Sequence, residues 1–294
     1  SKTIPLRTRC KKPGNKMKIK EGKACPMGKD SKYYKEKKRE QTLKLRELIR
    51  QLPGFAADYI HSKEVTTQTS TLISYSYDLL TFFRFMVSQN PALKSYAVKD
   101  LPLSILDQIT SEDIVEYQRY LELSVEGEYH ENGKKAIARK LSPLRGMFQY
   151  HYEREYIQRN PMLLVKLPKL KKDKNIVRMN NYEVQAILEA VEHGYEGMSK
   201  RQKACCEKTK KRDLAILTLM LNTGIRVSEC RGLDLSDVDF VVNSLTIVRK
   251  GGGQDVIYFG DDVAKALSDY VNTERALMRP AQEDDNALFY SLQG

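Results

Sequence analysis

The sequence has no apolar run close to the roughly 20 residues that a membrane-spanning helix needs. Its N-terminal region is basic and has no apolar segment of the kind that secretory signal peptides carry. Neither a membrane protein nor a secreted precursor is expected, and we predict a cytoplasmic location. Aliphatic and aromatic residues still make up 41% of the chain, which excludes disorder along its whole length.

Cysteine is scarce, and its five copies form no C-x-x-C pair. No histidine stands at a zinc-finger spacing from them, so neither a disulfide framework nor a structural zinc site is predicted. Cys10 and Cys25 flank a basic stretch, but a metal site there would need two further ligands. The glycines at 251–253 are not followed by the G-K-[ST] of a nucleotide-binding loop. We expect no metal ion and no other cofactor.

Positive charge is concentrated at one end of the chain. The first 50 residues hold 18 Lys+Arg against 5 Asp+Glu, whereas residues 51–294 hold 32 against 33. A basic segment of this kind indicates contact with a polyanion, most often nucleic acid. The alternative is a solubilising tail.

Length and patterning divide the chain into four parts. Residues 1–55 are a basic arm with one helix, 56–165 an all-helical domain, 166–175 a basic linker containing Pro168, and 176–294 a mixed domain. In the helical domain, apolar residues recur at steps of three and four between Thr66 and Gln89, as on one buried helix face. Pro143 should kink or split a further helix predicted from Lys134 to Tyr156. We expect the aromatic residues of this bundle to form its core.

Alternation of period two occurs only near the C-terminus. Residues 245–249 and 256–259 flank the glycine-rich stretch, which predicts a β-hairpin. In the segment that precedes this hairpin, an apolar helix should end at Gly224 and a new helix should begin directly after it. Arg226 would then lie at a helix start, three residues before Glu229, where a guanidinium can hold a phosphate through two parallel bonds. The alternative is a surface ion pair between these two side chains.

The run Thr223-Gly-Ile-Arg-Val-Ser-Glu229, continuing through Gly232-Leu233 to Asp237-Val238, resembles the first signature box of the tyrosine recombinases, the phage-integrase and Xer-like family. Lys250 follows in the predicted hairpin turn, where Xer-like members place a catalytic lysine. The stretch Arg145 to Tyr150 and the pair Asn160-Pro161 are similar to parts of the family's core-binding domain. The resemblance covers about residues 56–294.

The resemblance implies a mainly α fold, with a helical core-binding bundle and an α+β catalytic domain that carries a small β-hairpin sheet. It also implies site-specific DNA recombination through a 3′-phosphotyrosyl intermediate, without a metal. Arg226 would stabilise the charge on the non-bridging phosphate oxygens, Lys250 would protonate the leaving 5′-oxygen, and Glu229 would orient the site by hydrogen bonding. The implied partners are a double-stranded recombination site and further recombinase protomers, as a dimer or tetramer on DNA.

The sequence departs from the family after the hairpin. The second box, H-x-x-R, and the nucleophilic tyrosine would lie downstream, but no such box follows Arg226 before Gly294. We therefore expect a catalytic domain that is incomplete at its C-terminus and inactive as it stands. His151 and Arg154 match H-x-x-R by letters, but they precede Arg226 on a predicted core helix. Tyr290 lies in an apolar strand context and is rejected as the nucleophile.

Basic side chains in three clusters are candidates for DNA contact, where they would position the protein without reading sequence. One cluster lies on a predicted helix, where it could instead simply face solvent. One lies in the linker, where it would cross the duplex if the two domains clamp it, and one precedes Arg226, where it could reach flanking phosphates. In this order, the clusters are Lys134, Lys135, Arg139 and Lys140; Lys169, Lys171, Lys172 and Lys174; and Lys208, Lys210, Lys211 and Arg212.

The sequence thus predicts a recombinase or integrase carried on a mobile element. One alternative is a DNA-binding protein that occupies sites with the same clamp and does not cut. A second is an RNA-binding helical protein with a basic tail, against which Arg226 and Lys250 argue.

Overall fold

The computed structural model describes residues 32–122, 124–126, 128–130, 132–168, 177–249, 251–278 and 286–291. Most of these residues lie in helices. The helices are α1 Lys32–Ile49, α2 Gly54–Lys63, α3 Thr69–Gln89, α4 Ile105–Gln108, α5 Ser111–Glu122, α6 Lys134–Tyr152, α7 Asn181–His193, α8 Lys200–Thr223, α9 Val227–Cys230 and α10 Asp261–Tyr270. Within the described ranges, no helix is long and apolar enough to cross a membrane.

Among the described residues, five strands form two antiparallel sheets. They are β1 Ser124–Glu126, β2 Glu128–His130, β3 Val238–Asp239, β4 Ser244–Val248 and β5 Gln254–Tyr258. The first two form a small hairpin, and the others form a three-stranded sheet in the order β3-β4-β5. In that sheet Val248 pairs with Gln254 across the glycine-rich turn. The predicted fold class, a helical bundle with a mixed half that carries a small sheet, is confirmed.

Helices α1 to α6 share one hydrophobic core, and we call residues 32–168 the bundle. The face predicted on α3 is buried, with Leu72, Leu79, Phe82, Phe83 and Met86 all inside. Aromatic rings meet edge to face here, which adds to the stabilisation from burial. The aromatic residues therefore form the core, as predicted.

Two features of the bundle differ from the sequence prediction. Helix α2 was not predicted, because a Pro-Gly pair such as Pro53-Gly54 is a strong signal for the end of a helix. The Pro53 carbonyl instead accepts the backbone N–H groups of Ala56 and Ala57, so the pair both ends α1 and begins α2. Pro143 does not split α6, which runs unbroken from Lys134 to Tyr152.

The C-terminal half, residues 177–291, is built around α8, α10 and the three-stranded sheet. Its core cluster includes Leu219 of α8, Ile247 of β4 and Leu267 of α10. A capping box of Asn180 and Glu183 starts α7. Residues 286–291 lie against this core through an antiparallel bridge between Asp234 and Ala287.

The bundle and the C-terminal half touch at the first turn of α1. A Cβ atom added at Gly232 would lie 2.6 Å from the Tyr34 hydroxyl oxygen, so any larger residue would have to displace the Tyr34 ring. The Arg231 guanidinium lies 5.4 Å from the centre of the Tyr33 ring. Burial and nearby carboxylates, Glu229 among them, raise the pKa of Tyr34 to about 12. Helix α1 therefore connects the bundle core to the arginine box.

Candidate active site

The arginine box, residues 221–238, begins where α8 stops. Gly224 takes a left-handed conformation with φ +65°, and its N–H donates to the Met220 carbonyl at 2.9 Å. A residue without Cβ adopts this geometry at little cost, so the chain turns sharply at this point. Two residues later Arg226 occupies the N-cap position of α9. The predicted break at Gly224 and restart of the helix are both present, although α9 is only a single turn.

Arg226 is held by a buried carboxylate. One oxygen of Glu229, Oε1, accepts the Arg226 Nη1–H at 2.8 Å, and Oε2 accepts the Arg226 backbone N–H at 2.8 Å. The Glu229 side chain is 3% exposed, whereas the Arg226 side chain is 62% exposed. This is not a surface pair, because the carboxylate is fixed inside and the guanidinium projects outward.

Glu229 also binds a second arginine. The Nη1 atom of Arg249, at the end of β4, lies 3.4 Å from Oε2, and its Nε donates to Asp255 on β5 at 3.1 Å. Burial alone would raise the pKa of Glu229. Hydrogen bonds from the Arg226 backbone and guanidinium, with the charges of Arg226 and Arg249, hold that pKa below its usual value. The carboxylate therefore stays ionised between two guanidinium groups.

The glycine-rich turn next to Arg249 has the predicted hairpin geometry. Gly251 and Gly252 have φ values of +116° and +86°, and the Arg249 N–H donates to the Gly253 carbonyl at 2.8 Å. Lys250, the predicted general acid, lies outside the described residues. Arg249, the residue directly before it, contacts Glu229.

The candidate DNA-contacting residues differ in their surroundings. Lys134 and Lys135 are exposed on the first turn of α6. Arg139 and Lys140 both pair with the buried Asp78 of α3, at 2.9 and 3.5 Å. The linker cluster, Lys169, Lys171, Lys172 and Lys174, lies outside the described residues.

The third cluster is divided by the packing of α8. Lys208 and Lys211 are exposed, and Lys210 and Lys211 line a groove between α7, α8 and α10. Arg212 faces the protein, because its guanidinium binds Asp213 and the Tyr290 carbonyl. Its side chain therefore holds residues 286–291 in place, which is a different role from the predicted DNA contact.

Two residues that we rejected as catalytic lie in hydrophobic cores. His151 is buried in the bundle, where its Nε2 atom lies 3.0 Å from the Phe55 carbonyl oxygen. Tyr290 is buried in the C-terminal half; its hydroxyl accepts a hydrogen bond from Arg275 at 2.8 Å, and its N–H donates to the Tyr270 hydroxyl. Neither side chain is presented to a substrate.

Sequence reasoning missed Arg249 and Tyr34. No local spacing could have revealed either residue, because Arg249 is 20 positions from Glu229 and Tyr34 belongs to the other half of the molecule. The one available signal was the position of Arg249, directly before Lys250.

Comparisons with known proteins identify the family of the chain. The model of the phage integrase family matches residues 175–294. The tyrosine recombinase XerS of Streptococcus agalactiae is 30% identical over 276 residues, covering 86% of this chain and 77% of that protein. The tyrosine recombinase XerC of Caldanaerobacter subterraneus is 29% identical, covering 76% of this chain and 58% of that protein.

Solved structures show the same fold. The Tn1549 transposon integrase, in complex with circular intermediate DNA, matches with a TM-score of 0.53 at 18% identity, over 82% of this chain and 71% of the other. The XerH recombinase bound to palindromic difH substrate matches with a TM-score of 0.53 at 16% identity, over 87% and 74%. The fold and the arginine box define an integrase-type recombinase. The chain belongs to the tyrosine recombinase family.

Proposed function

We propose that this protein is a site-specific DNA recombinase that cleaves and rejoins double-stranded DNA through a 3′-phosphotyrosyl intermediate. The observation that carries the proposal is the outward-facing guanidinium of Arg226 on the buried carboxylate of Glu229. A guanidinium fixed in this way matches the two non-bridging oxygens of a phosphodiester and needs little reorganisation when charge builds on them.

The proposed reaction exchanges one phosphoester bond for another of similar energy. A tyrosine hydroxyl loses its proton to solvent and its oxygen attacks phosphorus. The bond from phosphorus to the 5′-oxygen breaks, and the leaving 5′-oxygen takes a proton from Lys250. Arg226 neutralises the negative charge of the pentavalent transition state. The reverse attack by a 5′-hydroxyl restores the phosphodiester, so no nucleotide cofactor is needed. The 294 residues carry no histidine after Arg226, so no H-x-x-R box follows Arg226 among them. The proposed chemistry is that of a site which also contains this box and a tyrosine nucleophile.

DNA binding is proposed for both halves of the molecule. Relatives of this fold are described in complex with recombination-site and transposon DNA, which supports a duplex partner. Exposed cations lie in the bundle at Lys134, Lys135 and Arg139, and in the C-terminal half at Lys211 and Arg226. The two halves would close on opposite sides of a duplex in the cytoplasm, with further protomers completing a dimer or tetramer on the DNA.

The binding part of the proposal is tested with a duplex selected from a random library by the chain itself. Because phosphate contacts release counterions, we expect the affinity to fall by about 1,000-fold or more between about 50 and 200 mM salt. Lys135→Ala should weaken binding to every sequence. Lys94→Ala, at an exposed position outside the basic segment and the candidate clusters, is the charge-matched control and should leave binding unchanged. An affinity that does not depend on salt, or a preference for single-stranded RNA, would contradict the proposal.

The chemical part is tested on a nicked duplex that traps covalent intermediates. We expect the 294 residues to bind without forming an adduct, since Tyr290 is buried. In the protein supplied with the family's second box and tyrosine, Arg226→Lys should sharply reduce cleavage and leave binding nearly intact. Loss of binding would show that Arg226 contributes to DNA binding and not specifically to cleavage. Unchanged cleavage would favour the alternative in which this clamp occupies sites without cutting.

A further inference from the structure

Arg249 has contacts that the proposed chemistry does not use. It stands at the end of β4, with its side chain 37% exposed, and its guanidinium bridges two carboxylates. Its Nε atom donates to Asp255 and its Nη1 atom to Glu229 Oε2. One side chain therefore links the β4–β5 hairpin to α9.

The Glu229 oxygens show what this bridge does. Oε1 accepts from Arg226 Nη1, and Oε2 accepts from the Arg226 backbone and from Arg249. Because Oε2 already accepts two hydrogen bonds, Oε1 is the Glu229 oxygen that remains for the Arg226 guanidinium. Among the described residues it pairs through Nη1 alone, so its remaining N–H groups face outward.

We propose that Arg249 is a positioning residue for Arg226. By occupying Oε2 it prevents Glu229 from binding the Arg226 guanidinium through both oxygens, and it keeps the outer edge of that guanidinium presented to a DNA phosphate. The inference rests on the proposed function, because it takes Arg226 to bind a phosphate. It goes beyond that function in assigning a role to a residue that touches neither the substrate nor the reacting atoms.

The geometry calls for arginine at this position. A guanidinium presents Nε and Nη1 in a fixed plane and can reach Asp255 and Glu229 together. A lysine ammonium is a point charge and can satisfy one of the two carboxylates at a time. Substitution of Arg249 by lysine therefore keeps the charge at this position and removes the bridge between the two carboxylates.

The test measures how strongly binding depends on the charge of a single phosphate. A methylphosphonate, which is neutral, replaces each phosphate of the selected duplex in turn, and the Kd is divided by that of the unmodified duplex. At the phosphate bound by Arg226 this ratio should be large for the wild-type chain. Arg226→Ala should reduce it by about ten-fold or more, as expected for loss of a charge-assisted hydrogen bond.

Arg249→Ala should reduce the ratio at that same phosphate by about three- to ten-fold and leave it unchanged at other phosphates. Asp255→Asn, which removes the Nε partner without touching Glu229, should reduce it by a smaller factor. Arg249→Lys should restore less than half of the loss. Arg231→Ala is the matched control, because it removes the same charge two positions from Glu229. It should weaken binding to the modified and the unmodified duplex equally, so that the ratio of their Kd values stays unchanged.

The outcomes separate the inference from the proposed function. If Arg226→Ala changes the ratio at no phosphate, both are wrong. If Arg226→Ala lowers it but Arg249→Ala does not, the inference alone is wrong. Full rescue by Arg249→Lys would also overturn it, because charge rather than the bridge would then suffice. Thermal melting of each variant verifies that it is folded, and Asp255→Asn supplies the answer if Arg249→Ala is not.

Discussion

The two halves of the molecule each contain a buried carboxylate that binds two cations, and the two carboxylates behave differently. In the bundle, Asp78 pairs with Arg139 and Lys140; in the C-terminal half, Glu229 pairs with Arg226 and Arg249. Both carboxylates are 3% exposed. Burial raises the pKa of Asp78, and its cations oppose this only in part, whereas the pKa of Glu229 is lowered.

Two features account for the difference: Asp78 lies deeper in the protein than Glu229, so burial raises its pKa more strongly, and among the described contacts only Glu229 has a backbone donor. Glu229 accepts the Arg226 N–H as well as two guanidinium groups, so a rigid donor compensates for its loss of water. Asp78 sits in the middle of α3 and has only long side chains as partners, of which Arg139 is 54% exposed. A carboxylate at a helix start can thus stay ionised while it holds an arginine in place. The following predictions test this comparison.

The largest effect is expected for Glu229→Gln. The amide keeps the shape but loses the charge-assisted bonds to Arg226 and Arg249, so the free energy of unfolding should fall by about 2–3 kcal/mol at pH 7. The pKa of Glu229 is lowered on folding, so its contribution is complete above the ordinary glutamate value. It is lost as pH falls through the lowered value. Urea unfolding of both proteins from pH 7 to 3 should show the difference shrinking in acid; a constant difference would contradict it.

A smaller effect of opposite sign is expected for Asp234→Asn. Burial and the neighbouring Asp237 raise the pKa of Asp234 to about 6, so its ionisation opposes folding at neutral pH. Asparagine is equally suited to the N-cap position that Asp234 occupies. The variant should gain about 1 kcal/mol above pH 6, after allowance for solvent screening, and the gain should vanish as pH falls toward 3.8.

Thermal melting at pH 7.5 and pH 4 measures this change. Ser236→Ala, two positions away and exposed, serves as a control in which no pH-dependent difference is expected. A lower melting temperature for Asp234→Asn at pH 7.5 would show that its carboxylate stabilises the box.

The smallest effect is expected for Asp78→Asn. Because the ionised form is disfavoured by burial, a neutral amide should change the free energy of unfolding by less than about 1 kcal/mol at pH 7. Arg139 and Lys140 can return to water. Denaturant unfolding beside Glu229→Gln makes the comparison direct: a loss as large as that of Glu229→Gln would mean that the two carboxylates are equivalent.

Much of the fold could be predicted because its signals are local. The apolar face of α3, the stop at Gly224 and the glycine-rich hairpin each depend on neighbours a few residues apart. Helix α2 was missed because Pro53-Gly54 serves both as a stop and as a start. The unbroken course of α6 through Pro143 depends on packing, since that residue is buried in the bundle.

The candidate site was predictable only in part, because some of its contacts are local in sequence and others depend on tertiary packing. Arg226 and Glu229 are three residues apart, and their sequence box is specific. The partner of Arg139 lies 61 positions away, and the links from Arg249 to Glu229 and from Tyr34 to Gly232 join separate elements. Arg212 has the composition of a DNA contact, yet tertiary packing directs it to the carbonyl of Tyr290.

The central claim is that the buried carboxylate of Glu229 presents Arg226 to one DNA phosphate. Its most direct test is the ratio of the Kd for a duplex with a methylphosphonate at that position to the Kd for the unmodified duplex, in wild type and in Arg226→Ala. We expect a single position at which the wild-type ratio is about ten-fold or more above that of the variant. Equal ratios at every phosphate would contradict the account.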